Sequence, residues 1–386
     1  MVTNKPIYAD YNSTTPVDAA VFEEMLPYFS DYFGNASSKH WYGYKSREAI
    51  ELARHRVSEC IGCRPHEVIF TSGATESNNF ALKGIAYANQ HHGKHIITTS
   101  VEHQSVLQPC RYLESQGFSL TILPVDDYGM VSVDDLKDAI REDTILISVM
   151  HANNEVGTIE PIPEIGNIAK EFGIYFHSDA AQTIGKIPVN VDDLGVDLLS
   201  ISGHKFYGPK GVGAIYIREG TEIDPLIGGN SQEFRLRSGS ENVPGIVGLG
   251  KACQIVAESL NQSSSHMLKM RERLFELFIT SVPQVLLIGH PTARVPNTVN
   301  LAFPGVVARD LLLATPEVSA LAEAECDVER YQISHVLKAM HIPETYALGS
   351  IRFSFGKWTT EYEIDDIVDF ISARYEQLLE GHHHAA

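Results

Sequence analysis

In the stretch Ser200-Ile201-Ser202-Gly203-His204-Lys205-Phe206-Tyr207-Gly208-Pro209-Lys210-Gly211-Val212-Gly213, Lys205 follows an apolar run from Val196 to Ile201. A glycine-rich turn and a second apolar run, Ala214 to Ile217, come after it. This arrangement predicts a lysine held at the end of a buried strand. Desolvation and nearby cations disfavour an ammonium there, and the free amine can attack a carbonyl carbon to form a Schiff base. An isolated Ser-Gly-His-Lys is more often a surface lysine in a strand-loop-strand connection. Whether the chain supplies the other parts of such chemistry decides between the two readings.

Three further stretches supply them. Thr71-Ser72-Gly73-Ala74-Thr75-Glu76-Ser77-Asn78-Asn79 follows an apolar run and opens a helix, so its free amides and hydroxyls make an anion site suited to one phosphate. It lacks the Gly-Lys-Ser/Thr ending of a P-loop, which argues against a nucleotide triphosphate. In His177-Ser178-Asp179-Ala180-Ala181-Gln182 a buried Asp179 could pair with a protonated pyridinium nitrogen, and Gln182 could reach a ring oxygen. In Val101-Glu102-His103-Gln104 a planar His103 could stack on the ring and move protons. Taken singly, Thr75 and Asp179 read as helix caps. Taken together with Lys205, these pieces point to pyridoxal phosphate, the commonest cofactor held by a Schiff-base lysine.

The elements that must position these residues show a βα rhythm. Apolar runs at Val68 to Phe70, His95 to Thr98, Leu120 to Val125, Ile145 to Met150, Ile174 to Phe176 and Leu198 to Ile201 alternate with helix-like segments. The helical segments are Asn78 to Asn89, Ser105 to Gln116, Val133 to Ile140 and Ile162 to Phe172. That spacing predicts an α/β fold with a mainly parallel sheet covered on both faces, whose ligands gather beyond the carboxyl ends of the strands. Helices are also expected over Asp18 to Tyr32 and Ser46 to Ile61. From Val247 a long helical stretch follows, with Gln262-Ser263-Ser264-Ser265 as a turn inside it. Residues 16–250 read as a large domain, residues 1–15 with 251–380 as a smaller α+β domain, and residues 381–386 as a tail or a tag remnant.

Bulk properties narrow the function. The 44% hydrophobic and 20% charged residues are those of a soluble globular protein, and no apolar run approaches the ~20 residues needed to cross a bilayer. The start of the chain carries no signal-peptide pattern, so a cytoplasmic protein without membrane contact is expected. A formal charge of −19 argues against direct nucleic-acid binding, since phosphate contacts need clustered Lys and Arg. The five cysteines, Cys60, Cys63, Cys110, Cys253 and Cys326, show no disulfide framework, and Cys60 and Cys63 read as ordinary thiols near a helix end, not as a zinc pair. His91, His92 and His95 read as solvated surface, and no metal site is expected.

Together the motifs resemble the PLP-dependent cysteine desulfurases of the fold-type I, class V aminotransferase-like superfamily. The ordered set runs from Tyr8-Ala9-Asp10-Tyr11-Asn12 through Asn153-Asn154-Glu155-Val156-Gly157 and Ser202-Gly203-His204-Lys205 to Ile351-Arg352-Phe353-Ser354-Phe355-Gly356. The resemblance implies Lys205 as the Schiff-base lysine, Asp179 against the pyridine nitrogen, Gln182 and Asn154 near the ring oxygen, and His103 on the ring. It implies a phosphate site at Ala74, Thr75, Ser202 and His204, completed by Ser240 of a second subunit in a homodimer that shares its active sites. Arg352 with Asn35 would hold the carboxylate of L-cysteine. The persulfide-forming cysteine of the family lies on a mobile loop nine residues before a helix start, and Cys326 stands nine before His335.

The implied reaction converts L-cysteine to L-alanine and passes sulfur from Cys326 to an acceptor protein or small thiol. Iron-sulfur cluster assembly, tRNA thiolation and DNA phosphorothioation are the pathways such enzymes serve; the departures from the pattern lean toward a dedicated one such as the last. A selenocysteine lyase or aminotransferase on the same fold, or a partner-dependent sulfur-relay scaffold, are the alternatives. Two stretches depart from the family. Asn230, Ser231, Phe234 and Arg235 stand where it has mostly Gly, and acidic Glu323, Glu325, Asp327 and Glu329 surround Cys326 where it has Ser and Gly. Those acids should raise the thiol pKa, and the Ala/Leu/Glu-rich run before Cys326 favours helix and order.

Overall fold

A computed structural model describes residues 5–282, 284–322, 324–327 and 330–385, with backbone alone at 324–327, 330–332 and 381–385. Seven strands form the central sheet: β2 (Val68–Thr71), β3 (His95–Thr99), β4 (Ser119–Leu123), β5 (Thr144–Ser148), β6 (Tyr175–Asp179), β7 (Leu198–Ser202) and β8 (Gly213–Ile217), after a short β1 (Ile7–Tyr8). Their order is β2-β8-β7-β6-β5-β3-β4, and every pairing is parallel except those of β8 with its two neighbours. Because β8 alone runs backwards, the carboxyl ends of β2, β3, β5, β6 and β7 share one edge.

These strands are almost continuously apolar or small, as burial on both faces demands, whereas the edge strand β4 is half-exposed. Helices Ala74–Asn89, Gln104–Ser115 and Ile162–Phe172 cover the sheet, as the periodicity predicts. His95 is a correction: it is fully buried in β3, with Thr144 Oγ1 2.7 Å from Nδ1 and Thr121 Oγ1 2.8 Å from Nε2. Flanking polar residues had suggested a surface loop, but two threonines on neighbouring strands satisfy the ring.

The second sheet joins β9 (Leu286–Ile288), β10 (Thr298–Ala302), β12 (Leu321–Ala322) and β15 (Ser350–Ser354) in the order β12-β15-β10-β9, and β11 (Val318–Ser319) pairs with β1. Its core, including Val299, Leu301, Phe303 and Phe353, packs on helices Val243–Ser281 and Glu361–Ala385. Helix Val243–Ser281 is unbroken through Ser263–Ser265, contrary to the expected turn; favourable flanking residues and tertiary packing outweigh three serines of modest helix propensity. Its first half, with Ile246 and Leu249, belongs to the core of the large sheet, and its second, with Leu274 and Phe278, to the smaller one. It therefore crosses the domain boundary expected at residue 250. Helix Asp18 to Tyr32 is instead two pieces, Ala19–Met25 and Pro27–Ser30, divided where Pro27 opens the second.

Among the described residues, the run before Cys326 is not helical. β13 (Ala324–Asp327) and β14 (Arg330–Ile333) form an antiparallel hairpin in which Cys326 pairs with Tyr331. Strand pairing thus overrides the helix propensity of Ala, Leu and Glu. Glu323 and Glu329 lie outside the described residues, as do the side chains of Glu325, Cys326 and Asp327.

Candidate active site

A cavity of about 600 Å³ opens at the shared carboxyl edge of the sheet, within the size range of cofactor sites. It is lined by Ala74, Thr75, His103, Asn154, Asp179, Gln182, Ser202, His204, Lys205 and Arg352, all of which the sequence singled out. Most reach it from the end of a strand of the large sheet: Thr75 after β2, His103 after β3, Asn154 after β5, Asp179 closing β6, Lys205 just past β7, whereas Arg352 comes from the middle of β15 in the second sheet. The β6–β7 pairing sets Asp179 opposite Ser200, so acid and lysine emerge side by side. The edge is closed tightly at Gly213, where a Cβ would come within 2.6 Å of Gly73 Cα.

Lys205 Nζ donates to the carbonyls of Asn12, at 2.6 Å, and Ser13, at 2.9 Å. Burial, then the neighbouring Arg352 guanidinium, lowers its pKa to about 8, against an opposing pull from Asp179 and Asp10. A fraction of the amine is therefore free even at neutral pH, where an ordinary lysine has almost none. Asp179 is 6% exposed; its Oδ2 accepts from Asn78 Nδ2 at 2.6 Å and its Oδ1 from the Ala181 amide at 2.9 Å. Asn78 also donates to Ser105 Oγ, which stands 2.7 Å from His103 Nδ1. Since that nitrogen accepts from the Ser105 amide, the neutral ring carries its proton on Nε2. A continuous chain of hydrogen bonds thus links the buried acid to the histidine.

The end of the cavity beside helix Ala74–Asn89 is equally defined. Helix Ala74–Asn89 begins at Gly73 without a side-chain cap, so its first amides remain to be satisfied. His204 is kept neutral, its pKa lowered to about 4 by burial and then by Lys205 and Lys210, with Nδ1 3.0 Å from Thr14 Oγ1. It can serve an anion as a hydrogen-bond partner but not as a charge. Glu76 accepts from the Ser72 amide and from Arg237 Nε, both at 2.9 Å; burial opposes its ionisation, but Arg237 and Ser72 win and hold its pKa low. A buried acid, a desolvated amine, and an uncapped helix start with hydroxyls together match the donor set that pyridoxal phosphate requires.

Arg352 is 3% exposed; its guanidinium donates to Asp10 Oδ1 at 2.7 Å, Ser13 Oγ at 2.9 Å and the Asn154 carbonyl at 3.1 Å. Its expected companion Asn35 is not beside it. Asn35 and Ser240 together line a separate cleft of about 270 Å³, with Tyr28, Tyr32 and Phe33. The loop before Ser240 explains how non-glycines replace glycine: Phe234 and Arg235 adopt φ of 56° and 70°. A buried ion pair holds them there, Arg54 donating to both Glu233 oxygens at 2.8 Å and lying over Phe234 at 5.0 Å.

Sequence reasoning gave no role to Asn12, Asn78 or Lys186. Asn12 is 1% exposed and receives hydrogen bonds from Gln182, Lys186, Lys205 and Asn297. Its presence in the opening motif was a signal, but its partners lie up to 342 residues away.

The aminotransferase class-V model matches residues 7–367, and the chain belongs to that family. It is 49% identical over 377 residues to the cysteine desulfurase IscS of Methanosarcina thermophila, covering 97% of this chain and 93% of that protein. Among solved structures, a NifS-like protein superposes with a TM-score of 0.89 at 40% identity, covering 95% of this chain and 98% of that one. A structure described as SspA in complex with cysteine gives 0.81 at 38% identity, covering 92% of this chain and 99% of that one. The activity is accordingly that of a cysteine desulfurase, and the cofactor is pyridoxal phosphate. No helix among the described residues is long and apolar enough to cross a membrane.

Proposed function

We propose that the Lys205 cavity holds the cofactor and L-cysteine, and that Cys326 takes the sulfur. The observation that carries this reading is the strand β12. Leu321 lines the cavity and pairs with Arg352, and the chain continues from Ala322 toward the hairpin bearing Cys326. On the far side, Ser334 bonds to Glu155, and His335 Nε2 lies 2.9 Å from the Glu102 carbonyl, next to His103. The cysteine segment is thus tied at both ends to the cavity rim.

In this reading Asp179 would hold the pyridine nitrogen, Gln182 and Asn154 the ring oxygen, and His103 the ring; Ala74, Thr75, Ser202 and His204 would hold the phosphate. Bound there, the cofactor supplies an electron sink that acidifies the substrate α-carbon. Arg352 orients the substrate carboxylate through its planar fork. The Lys205 amine takes the α-proton, and the Cys326 thiolate attacks the substrate sulfur. The carbon–sulfur bond breaks as a sulfur–sulfur bond forms, so cysteine and a protein thiol give alanine and a protein persulfide. An acceptor protein or small thiol then removes the sulfur, in the cytoplasm.

The cleft with Asn35 and Ser240 belongs, we propose, to a homodimer. Phe29, Phe33, Trp41 and Tyr42 are exposed around it, with Phe33 and Tyr42 in ring contact at 5.3 Å, and Arg237 ties the Ser240 loop to Glu76 at the phosphate end. A second copy covering that patch would bring Ser240 to the phosphate and Asn35 to the substrate of its partner. Alanine and sulfide released from L-cysteine, with and without reductant, test the reaction. Alanine that needs both reductant and Cys326 supports the persulfide; alanine at full rate from Cys326→Ser would identify a lyase instead.

A further inference from the structure

Lys186 lies in the turn after β6, four residues beyond Gln182, and is 4% exposed. Its Nζ donates to Gln182 Oε1 at 2.6 Å and to Asn12 Oδ1 at 2.9 Å. Both acceptors are neutral amides. The charged groups that bear on it, Lys205 and Arg352, are cations, and burial followed by these two drives its pKa well below the ordinary lysine value. Around Lys205 itself stand Arg352, Asp179 and Asp10, with His204 beside it and Lys210 bearing on His204. A lysine buried among cations is costly. Lys186 does not line the cavity, yet both side chains it holds do.

Resting on the reading of the cavity above, we infer that Lys186 is a positioning residue for the cofactor, holding the Gln182 amide with its N–H end free for the cavity. A carboxamide is nearly symmetric in shape, so only its hydrogen bonds decide which end points where. With Oε1 occupied by Lys186, the opposite end is the donor, and one of its N–H groups already reaches the Asn12 carbonyl at 3.1 Å. That leaves one N–H for an oxygen on the cofactor ring. Without Lys186 only the bond to the Asn12 carbonyl still orients the amide, and its Oε1, left without a donor, can turn against that oxygen. A ring oxygen deprived of its donor retains the neighbouring nitrogen-bound proton more firmly, so the proton held at Lys205 should be lost only at higher pH.

The test is a pH titration of the visible band in four cofactor-loaded proteins: wild type, Lys186→Met, Gln182→Ala and the double variant. Lys186→Met should move the midpoint alkaline by about one pH unit, the size expected for one hydrogen bond to a charged group. Gln182→Ala should shift it similarly, and adding Lys186→Met to it should shift it no further. An unchanged midpoint in Lys186→Met, with only a lower melting temperature, would reduce Lys186 to a structural residue and overturn the inference. An equal shift with and without Gln182 would overturn it too, since Lys186 would then act by its charge. If Lys186→Met does not fold, Lys186→Gln carries the test: a donor is kept, and a midpoint matching wild type supports the inference, whereas a shift independent of Gln182 refutes it. A wild-type protein with no titrating visible band would instead refute the cofactor reading of the cavity.

Discussion

The Lys205 cavity and the Asn35–Ser240 cleft are built in opposite ways. Asp179, Gln182 and Arg352 are buried and held at fixed distances by partners from the same chain. Asn35 and Ser240 are exposed, and the Asn35 side chain is turned to the amide of Ser37 at 2.8 Å, among uncovered aromatic rings. The first is a floor organised by one chain before anything binds; the second is, on the homodimer proposed above, a half-site completed by another copy. Changes to the floor should therefore act on chemistry, and changes to the cleft on assembly and cofactor retention.

Four outcomes would break or sharpen this division. On the floor, Lys205→Ala should lose the visible cofactor absorbance after dialysis and lower alanine release by more than about 1000-fold, the upper range for a general base. At the rim, Cys326→Ser should keep that absorbance and lose sulfur transfer by on the order of 100-fold or more, as quantified by persulfide labelling. Asp179→Ala should bind cofactor but turn over about 10- to 100-fold more slowly, the worth of a hydrogen bond to a charged group, in a steady-state assay. In the cleft, Ser240→Ala should weaken cofactor affinity by about tenfold with a nearly unchanged rate at saturation. If instead Ser240→Ala struck the rate at saturating cofactor, the two regions would not be separate.

A pH measurement sharpens the floor alone. With a pKa of about 8, the Lys205 amine of the cofactor-free protein is protonated below that value and free above it. Capture of pyridoxal phosphate should accelerate through pH 8 and level off above it, whereas an ordinary lysine would still be gaining near pH 10. Stopped-flow absorbance measures this directly.

The floor was legible in the sequence because its residues sit at strand ends, where an apolar run stops and a polar group begins. Lys205, Asp179 and His103 each follow that pattern. Asn12, Asn78 and Lys186 escaped because their importance lies in contacts between distant segments, and a lysine amid Thr183, Ile184 and Ile187 carries no motif of its own. His95 was misread because polar neighbours outweighed two threonines invisible at 26 and 49 residues' distance. The strand at Cys326 was hidden for a related reason: a hairpin depends on a partner strand, and composition there spoke for helix.

The claim on which the rest depends is that Lys205 carries the cofactor. Reduction of the loaded protein with borohydride fixes the cofactor–lysine bond, and peptide mass mapping then locates it. The account predicts a single pyridoxyl adduct on Lys205; an adduct on Lys186, Lys210 or any other lysine would contradict it.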